Sequence, residues 1–283
     1  MNIISSVREM QLEAERLRRA GKKIAVVPTM GSLHEGHLSL MRIARTYDIV
    51  MSTIFVNPTQ FAPHEDFSKY PRNLERDSEL AESAGTDILF TPSISEIYQQ
   101  NHRTFIDVEK LTTVLEGKSR PTHFRGVTTI VAKLFNITKP HVGVFGQKDV
   151  QQVVVIQRMI RDLNFDIEIL VGPTVREPDG LAMSSRNVFL SESERAQSTV
   201  LFRSLRHAEE LLRSGERHVS RIVSAMNEMI THQPSAKIDY LSIADVTSLE
   251  ELSDVQERSN LVISLAVWFG TTRLIDNIQV SLP

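Results

Sequence analysis

Apolar residues along this chain fall into two patterns. One is a set of short, mostly apolar runs: Ile24-Ala25-Val26-Val27, 49–56, Ile88-Leu89-Phe90, 141–145 and 167–171. Short runs dominated by apolar residues in this way predict strands buried on both faces. The other pattern has helical spacing, in segments 7–19, 37–45, 72–84, 127–136 and 150–163. Gly21 and Gly85 stand where the first and third of these should stop. Strand and helix alternate, which predicts a parallel sheet covered on both faces. Residues 1–175 therefore read as a doubly wound, Rossmann-like α/β domain. After that the order changes. Long amphipathic helices are expected over 191–214 and 218–231. Strands are expected over 237–246 and 260–268, with a last short one near Val280. Residues 176–283 read as a second, smaller α+β domain.

Composition narrows the function classes. The net charge of −3 lacks the basic excess of a general nucleic-acid binder. The absence of cysteine rules out disulfides, thiolate metal sites and cysteine nucleophiles. Residues 1–20 carry Arg8, Glu9, Glu13, Glu15 and Arg16 where a signal peptide needs an apolar stretch. No segment approaches the roughly 18 apolar residues of a membrane span. A soluble cytoplasmic protein with no membrane or nucleic-acid partner is the expectation.

In open α/β sheets ligands bind beyond the carboxyl ends of the strands. Polar turns follow the apolar runs at those places. After the first comes Met30-Gly31-Ser32-Leu33-His34-Glu35-Gly36-His37. Its glycines allow close backbone approach, and a helix opening near His37 offers N–H groups and a positive dipole end to phosphate. His34 and His37 can donate to phosphate oxygens as charge builds on a leaving group. Taken alone, the turn reads more readily as a loop with solvated or capping histidines. A zinc site is disfavoured, because H-x-x-H lacks the H-E-x-x-H spacing.

The second run leads into Asn57-Pro58-Thr59-Gln60, whose amides suit a hydroxyl or carboxylate, or simply a turn. A later run leads into Gly146-Gln147-Lys148-Asp149. It reads either as a surface turn or as a site where Lys148 is a point charge for phosphate and Asp149 an acceptor for ribose, with Gln152 following on the next helix. At the junction of the expected domains lies Met183-Ser184-Ser185-Arg186. It can clamp a triphosphate or cap a helix. The basic, turn-rich stretch 115–126 has no residue-level assignment. The order of these turns fits one nucleotide cleft.

Longer ordered matches carry a resemblance. They are Val27-Pro28-Thr29-Met30-Gly31-x-Leu33-His34-x-Gly36-His37, Phe55-Val56-Asn57-Pro58-x-Gln60-Phe61, Tyr70-Pro71-Arg72, Leu115-Glu116-Gly117 and His123-Phe124-Arg125-Gly126-Val127. Lys148-Asp149, Met183-Ser184-Ser185-Arg186-Asn187 and Arg273-Leu274-Ile275-Asp276-Asn277 complete them. Over nearly its whole length the chain resembles the pantoate–β-alanine ligase family. The H-x-G-H turn alone marks only the wider nucleotidyltransferase superfamily, where Ser184-Ser185-Arg186 looks like the counterpart of the K-M-S-K-S loop.

The resemblance implies ATP-dependent joining of pantoate and β-alanine through a pantoyl adenylate, in pantothenate biosynthesis. It implies that His37 is the proton donor, with His34 and Lys148 beside it in catalysis. It places ATP on Met30, Gly31, Ser32, Leu33, His34, Glu35, Gly36 and His37. Further ATP contacts fall on Gly146, Gln147, Lys148, Asp149, Val175, Met183, Ser184, Ser185 and Arg186. Pantoate is expected at Gln60, Gln152 and Asn57, and β-alanine at Gln60. Residues 1–175 would then bind nucleotide and pantoate, and 176–283 would act as a lid. Mg²⁺ is expected with ATP, its protein ligands unknown, and a homodimer is expected. Gln147 stands where many relatives carry Glu, and Thr59 where a bulkier apolar residue is common. Two rivals share some of these features: another carboxylate-activating nucleotidyltransferase, and a nucleotide-binding module without catalysis.

Overall fold

The computed structural model describes residues 1–61 and 67–283. The chain forms two units. One comprises Met1–Gly146 and Val155–Pro173, the other Gln147–Val154 and Thr174–Pro283. Up to Gly172 the elements are β1 (Asn2–Ile4), α1 (Val7–Arg19), β2 (Ile24–Thr29), α2 (Glu35–Ala44), β3 (Ile49–Ile54) and α3 (Leu74–Ser83). Then come β4 (Ile88–Phe90), α4 (Ile94–Ile97), α5 (Glu116–Ser119), α6 (His123–Thr138), β5 (Val142–Gly146), α7 (Val150–Asp162) and β6 (Glu168–Gly172).

The first unit holds a six-stranded sheet in the order β1-β4-β3-β2-β5-β6. Every pairing in it is parallel. Alternate residues of each strand face opposite layers. Ala25, Val27, Val142 and Val144 pack with Leu38, Leu40 and Met41 of α2. Phe145 turns the other way, 6.4 Å from the Phe135 ring of α6. This burial on both sides explains the mostly apolar character of β2 and β5. From β2 the chain steps outward through β3 and β4, and from β5 it steps the other way to β6. The carboxyl ends of β2 and β5 therefore flank the topological switch point, where such sheets bind ligands.

The second unit contains α8 (Glu192–Ser198), α9 (Val200–Arg213), α10 (Val219–Thr231), β7 (Ala236–Asp245), β8 (Asn260–Phe269) and β9 (Thr272–Ser281). Its three strands form an antiparallel sheet in the order β7-β8-β9. Leu205, Leu212, Ile222, Met226 and Ile230 of α9 and α10 cover Leu261, Ile263, Leu265 and Val267 of β8.

Several elements differ from the sequence expectations. β1 was not expected, since it opens on the polar Asn2 and buries only Ile4. The helix expected over 191–214 is broken at Thr199. There the Ser198 and Thr199 hydroxyls donate back to the carbonyls of Arg195 and Ala196, at 2.8 and 2.9 Å. Such local bonds compete with the helical ladder. The last strand runs for 10 residues rather than a few around Val280. Asp276 and Asn277 interrupt its apolar pattern. Residues 147–154, expected in the first domain, group with the second unit. Asn277 of β9 holds the carbonyls of Gln147 and Lys148 there.

Candidate functional site

In the first unit, β2 ends at Thr29 and the chain turns through Gly31 (φ 83°) and Ser32 (φ 52°) into α2. A side chain at residue 31 is opposed by this φ and by space. Its Cβ would lie 3.0 Å from Asp77 Oδ2 and 3.1 Å from Ile54 Cγ2. Asp77, on α3 and buried, fixes the turn. Its carboxylate accepts the Ser32 and Leu33 N–H groups, both at 2.8 Å. No local pattern marked this residue in the sequence.

α2 starts at Glu35, two residues before the expected start, so His34 is its N-cap. His34 Nδ1 accepts the Gly36 N–H at 3.1 Å, and His37 Nδ1 accepts the His34 N–H at 3.4 Å. The two rings stand 4.2 Å apart. This is a reciprocal capping box built from two histidines. An Nδ1 that accepts carries no proton, so each neutral ring carries its proton on Nε2. Two ring donors thus arise at a helix N-terminus, at the sheet's switch point. The Glu35 carboxylate is paired with Arg42, which holds its pKa below the ordinary carboxylate value. At that position the backbone is the group suited to phosphate.

Asn57 and Gln60 meet on the short 3-10 turn after β3. Asn57 is fully buried. It donates to Gln60 Oε1 at 3.0 Å and to the Gly126 carbonyl at 3.1 Å. Its Oδ1 accepts from Tyr98 at 2.8 Å and from the Thr59 hydroxyl at 3.0 Å. Both amide hydrogens are thus engaged inside the protein, one of them on Gln60. Among the described residues no partner takes the Gln60 Nε2 hydrogens. Its backbone carbonyl meets Arg120 Nη2 at 3.2 Å and His123 Nδ1 at 3.1 Å. The unassigned basic stretch therefore grips this turn. Burial raises the Tyr98 pKa, opposed by its bonds to Thr59 and Asn57. Gly126 lets α6 approach: a Cβ there would sit 2.4 Å from the Thr59 carbonyl oxygen.

The remaining candidates belong to the second unit, except Gly146, which ends β5. Lys148, Ser184, Arg186 and Asp276 line one small recess there. Gln147, Lys148 and Asp149 form a 3-10 turn ahead of α7, whose first turn carries Gln152. Ser184 caps the 3-10 turn Ser185–Phe189, its Oγ accepting the Arg186 N–H at 3.2 Å. The Val175 carbonyl accepts the Met183 N–H at 3.0 Å. Behind this loop Arg176 and Asp276 form a bidentate pair at 2.7 and 3.0 Å. Burial raises the Asp276 pKa, opposed chiefly by Arg176.

The model of the Pantoate-beta-alanine ligase family matches residues 2–279. The chain belongs to the pantoate–β-alanine ligase family. It is 50% identical to the pantothenate synthetase of Acetivibrio thermocellus over 283 residues, covering 100% of both chains. The crystal structure of pantothenate synthetase from Thermus thermophilus superposes with a TM-score of 0.92 at 42% identity, over 100% of each chain. The pantoate-beta-alanine ligase of Francisella tularensis, solved with beta-gamma ATP and beta-alanine, gives a TM-score of 0.78 at 34% identity. That match covers 98% of this chain and 97% of the other. Membership makes this chain a ligase with the fold of its family. Among its described residues no helix is long and apolar enough to cross a membrane.

Proposed function

We propose that this ligase condenses (R)-pantoate with β-alanine, converting ATP to AMP and pyrophosphate through a pantoyl adenylate, in pantothenate biosynthesis. The carrying observation is the two-histidine capping box at the switch point of a chain matched end to end by this family.

The chemistry needs little covalent help from the protein. A pantoate carboxylate oxygen attacks the α-phosphorus, and the bond to the bridging oxygen of the β-phosphate breaks. Pyrophosphate leaves with that electron pair. The β-alanine nitrogen then attacks the acyl carbon, AMP leaves, and the amine gives up a proton. A carboxylate is a poor acyl donor, and the adenylate supplies the leaving group. Catalysis is positioning plus stabilisation of charge on pyrophosphate.

His37, as proton donor through Nε2, and His34 act on the phosphates, with Lys148 as their point charge. Met30 to His37, Gly146 to Asp149, Val175 through its backbone and Met183 to Arg186 contact ATP. Gln60, held by Asn57, offers its Nε2 hydrogens to pantoate and lies by β-alanine, and Gln152 also binds pantoate. Residues 1–175 carry nucleotide and pantoate recognition, and 176–283 serve as the lid. Mg²⁺ enters with ATP as part of the substrate. Among the described residues no three His, Asp or Glu side chains are grouped to hold it, and phosphates with water are its usual partners. The enzyme acts as a homodimer in the cytoplasm, which sedimentation equilibrium and cell fractionation test.

One assay decides the reaction. Radiolabelled pyrophosphate should exchange into ATP when pantoate is added, without β-alanine. Exchange with other acids but not with pantoate would favour a different carboxylate-activating transferase. A well-folded protein that catalyses no exchange would be a binding module instead.

A further inference from the structure

The Arg273-Leu274-Ile275-Asp276-Asn277 segment is left without a task by the reading above. It forms half of β9. Successive side chains of a strand face opposite sides, so Asp276 and Asn277 address different neighbours. Asn277 is 3% exposed. Its Nδ2 donates to two successive peptide carbonyls, Gln147 at 3.1 Å and Lys148 at 2.8 Å. Its Oδ1 accepts from Gln147 Nε2 at 3.0 Å. One amide thus satisfies three polar groups of the turn that carries Lys148.

Asp276, 2% exposed, takes both arms of Arg176. Arg176 also donates to the Gly180 carbonyl at 3.1 Å and lies 3.9 Å over the Phe202 ring. Arg176 pairs with Ala182 in an isolated bridge. Residues 183–186 follow directly. Two neighbouring residues on one strand therefore anchor both loops that line the recess of Lys148, Ser184 and Arg186.

We infer that Asp276 and Asn277 are a positioning dyad: Asn277 sets the Lys148 turn, and Asp276, through Arg176, sets the strap leading into Met183–Arg186. Neither residue is assigned contact with a substrate. Asparagine is the side chain this duty requires. Aspartate would oppose the two carbonyls with negative charge, and leucine would leave them buried and unpaired. The inference rests on the proposed role of Lys148 toward phosphate. A misplacement on the order of 1 Å costs roughly 100-fold in rate.

The test is a double-mutant cycle in pantoate-dependent pyrophosphate exchange, with Asn277→Ala, Lys148→Ala and both together. Asn277→Ala should lower the exchange kcat by about 10- to 100-fold, with the pantoate KM changed less than about threefold. In the Lys148→Ala background the same change should cost less than about threefold, because the residue it positions is gone. Equal losses in both backgrounds would overturn the inference, as would a near-normal Asn277→Ala enzyme. Hydrogen exchange supplies a readout that does not depend on activity. The amides of 148–152 should exchange faster in Asn277→Ala, while those of α10 stay as in the parent, and unchanged rates at 148–152 would overturn it. Asn277→Ser is the second variant, too short to span both carbonyls and expected to match Ala. If neither variant folds, the dyad is structural and the inference falls. Absence of exchange in the parent enzyme would refute the functional reading alone, since the amide measurement still reports on the anchor.

Discussion

Replacing Asp77 with asparagine tests whether the histidine turn is held from outside. The carboxylate accepts two consecutive backbone N–H groups, Ser32 to Oδ2 and Leu33 to Oδ1, each at 2.8 Å. Asparagine is nearly isosteric but has one acceptor. Its amide nitrogen would point a donor at one of the two N–H groups. A hydrogen bond to a charged group is worth about 1.5–3 kcal/mol, and a buried orphan donor costs about 1–3 kcal/mol. Losing one bond while opposing a second donor should destabilise the protein by about 2–4 kcal/mol. Typical domains hold about 5–15 kcal/mol, so the variant should still fold. The released turn carries Gly31 and Ser32 at positive φ and leads straight into His34. Its relaxation should displace the histidines, with a rate loss on the order of 100-fold. Urea unfolding measures the first effect and pantoate-dependent pyrophosphate exchange the second. Asp77→Ala, which orphans both N–H groups, should be at least as severe. A variant Asp77→Asn with the parent's unfolding midpoint and exchange rate would refute the reasoning.

Three further predictions address other parts of the molecule. His37→Ala should slow adenylation by roughly 10²–10³-fold, the usual loss for one transition-state donor, and near-normal single-turnover rates would reject its role. Gly126→Ala should force α6 away from the Thr59 carbonyl, cost about 1–3 kcal/mol of stability and raise the pantoate KM more than the ATP KM. Equal KM changes in initial-rate assays would count against a pantoate role for the Gln60 turn. Stability should also fall in mild acid through His141, whose Nδ1 accepts the Ile24 N–H at 3.0 Å. Burial, with the Arg18 and Lys23 charges, lowers its folded-state pKa, opposed by Asp166. A lowered histidine pKa means that the fold prefers the neutral ring. Its contribution is complete above the unfolded value of about 6.5 and is lost as pH falls below that toward the folded value. Urea midpoints taken from about pH 8 to about pH 5 should fall more steeply in the parent than in His141→Gln, and parallel curves would exclude the effect.

What the sequence reveals about this molecule follows from how far apart cooperating residues lie. β2 to β5 are largely buried and leave mostly apolar runs, and the partly exposed β6 still keeps Ile169-Leu170-Val171 together, so β2 to β6 were legible, as was the order of the turns after them. His34, His37, Lys148 and Ser184 are local to those turns and could be found by position. The sequence pattern shows β9 only near Val280 because Asp276 and Asn277 break its apolar run, although their polarity serves Arg176 and the Lys148 turn. Asp77 was missed because it lies 45 residues from Ser32, in a helix rich in other charges. Asn277 is 129 residues from Lys148. The partners of Asn57 were hidden in the same way: its residue type suits a ligand, and only the fold shows that its amide hydrogens reach Gln60 and the Gly126 carbonyl. Residue type and spacing report which groups a turn presents, whereas what holds the turn is a fact of tertiary contact. In each unit a buried side chain on a regular element holds backbone groups of a turn, Asp77 through N–H groups and Asn277 through carbonyls. Substitution at these two positions retains every histidine, lysine and serine proposed to meet ATP. Any loss of adenylation in such variants therefore measures placement separately from chemistry.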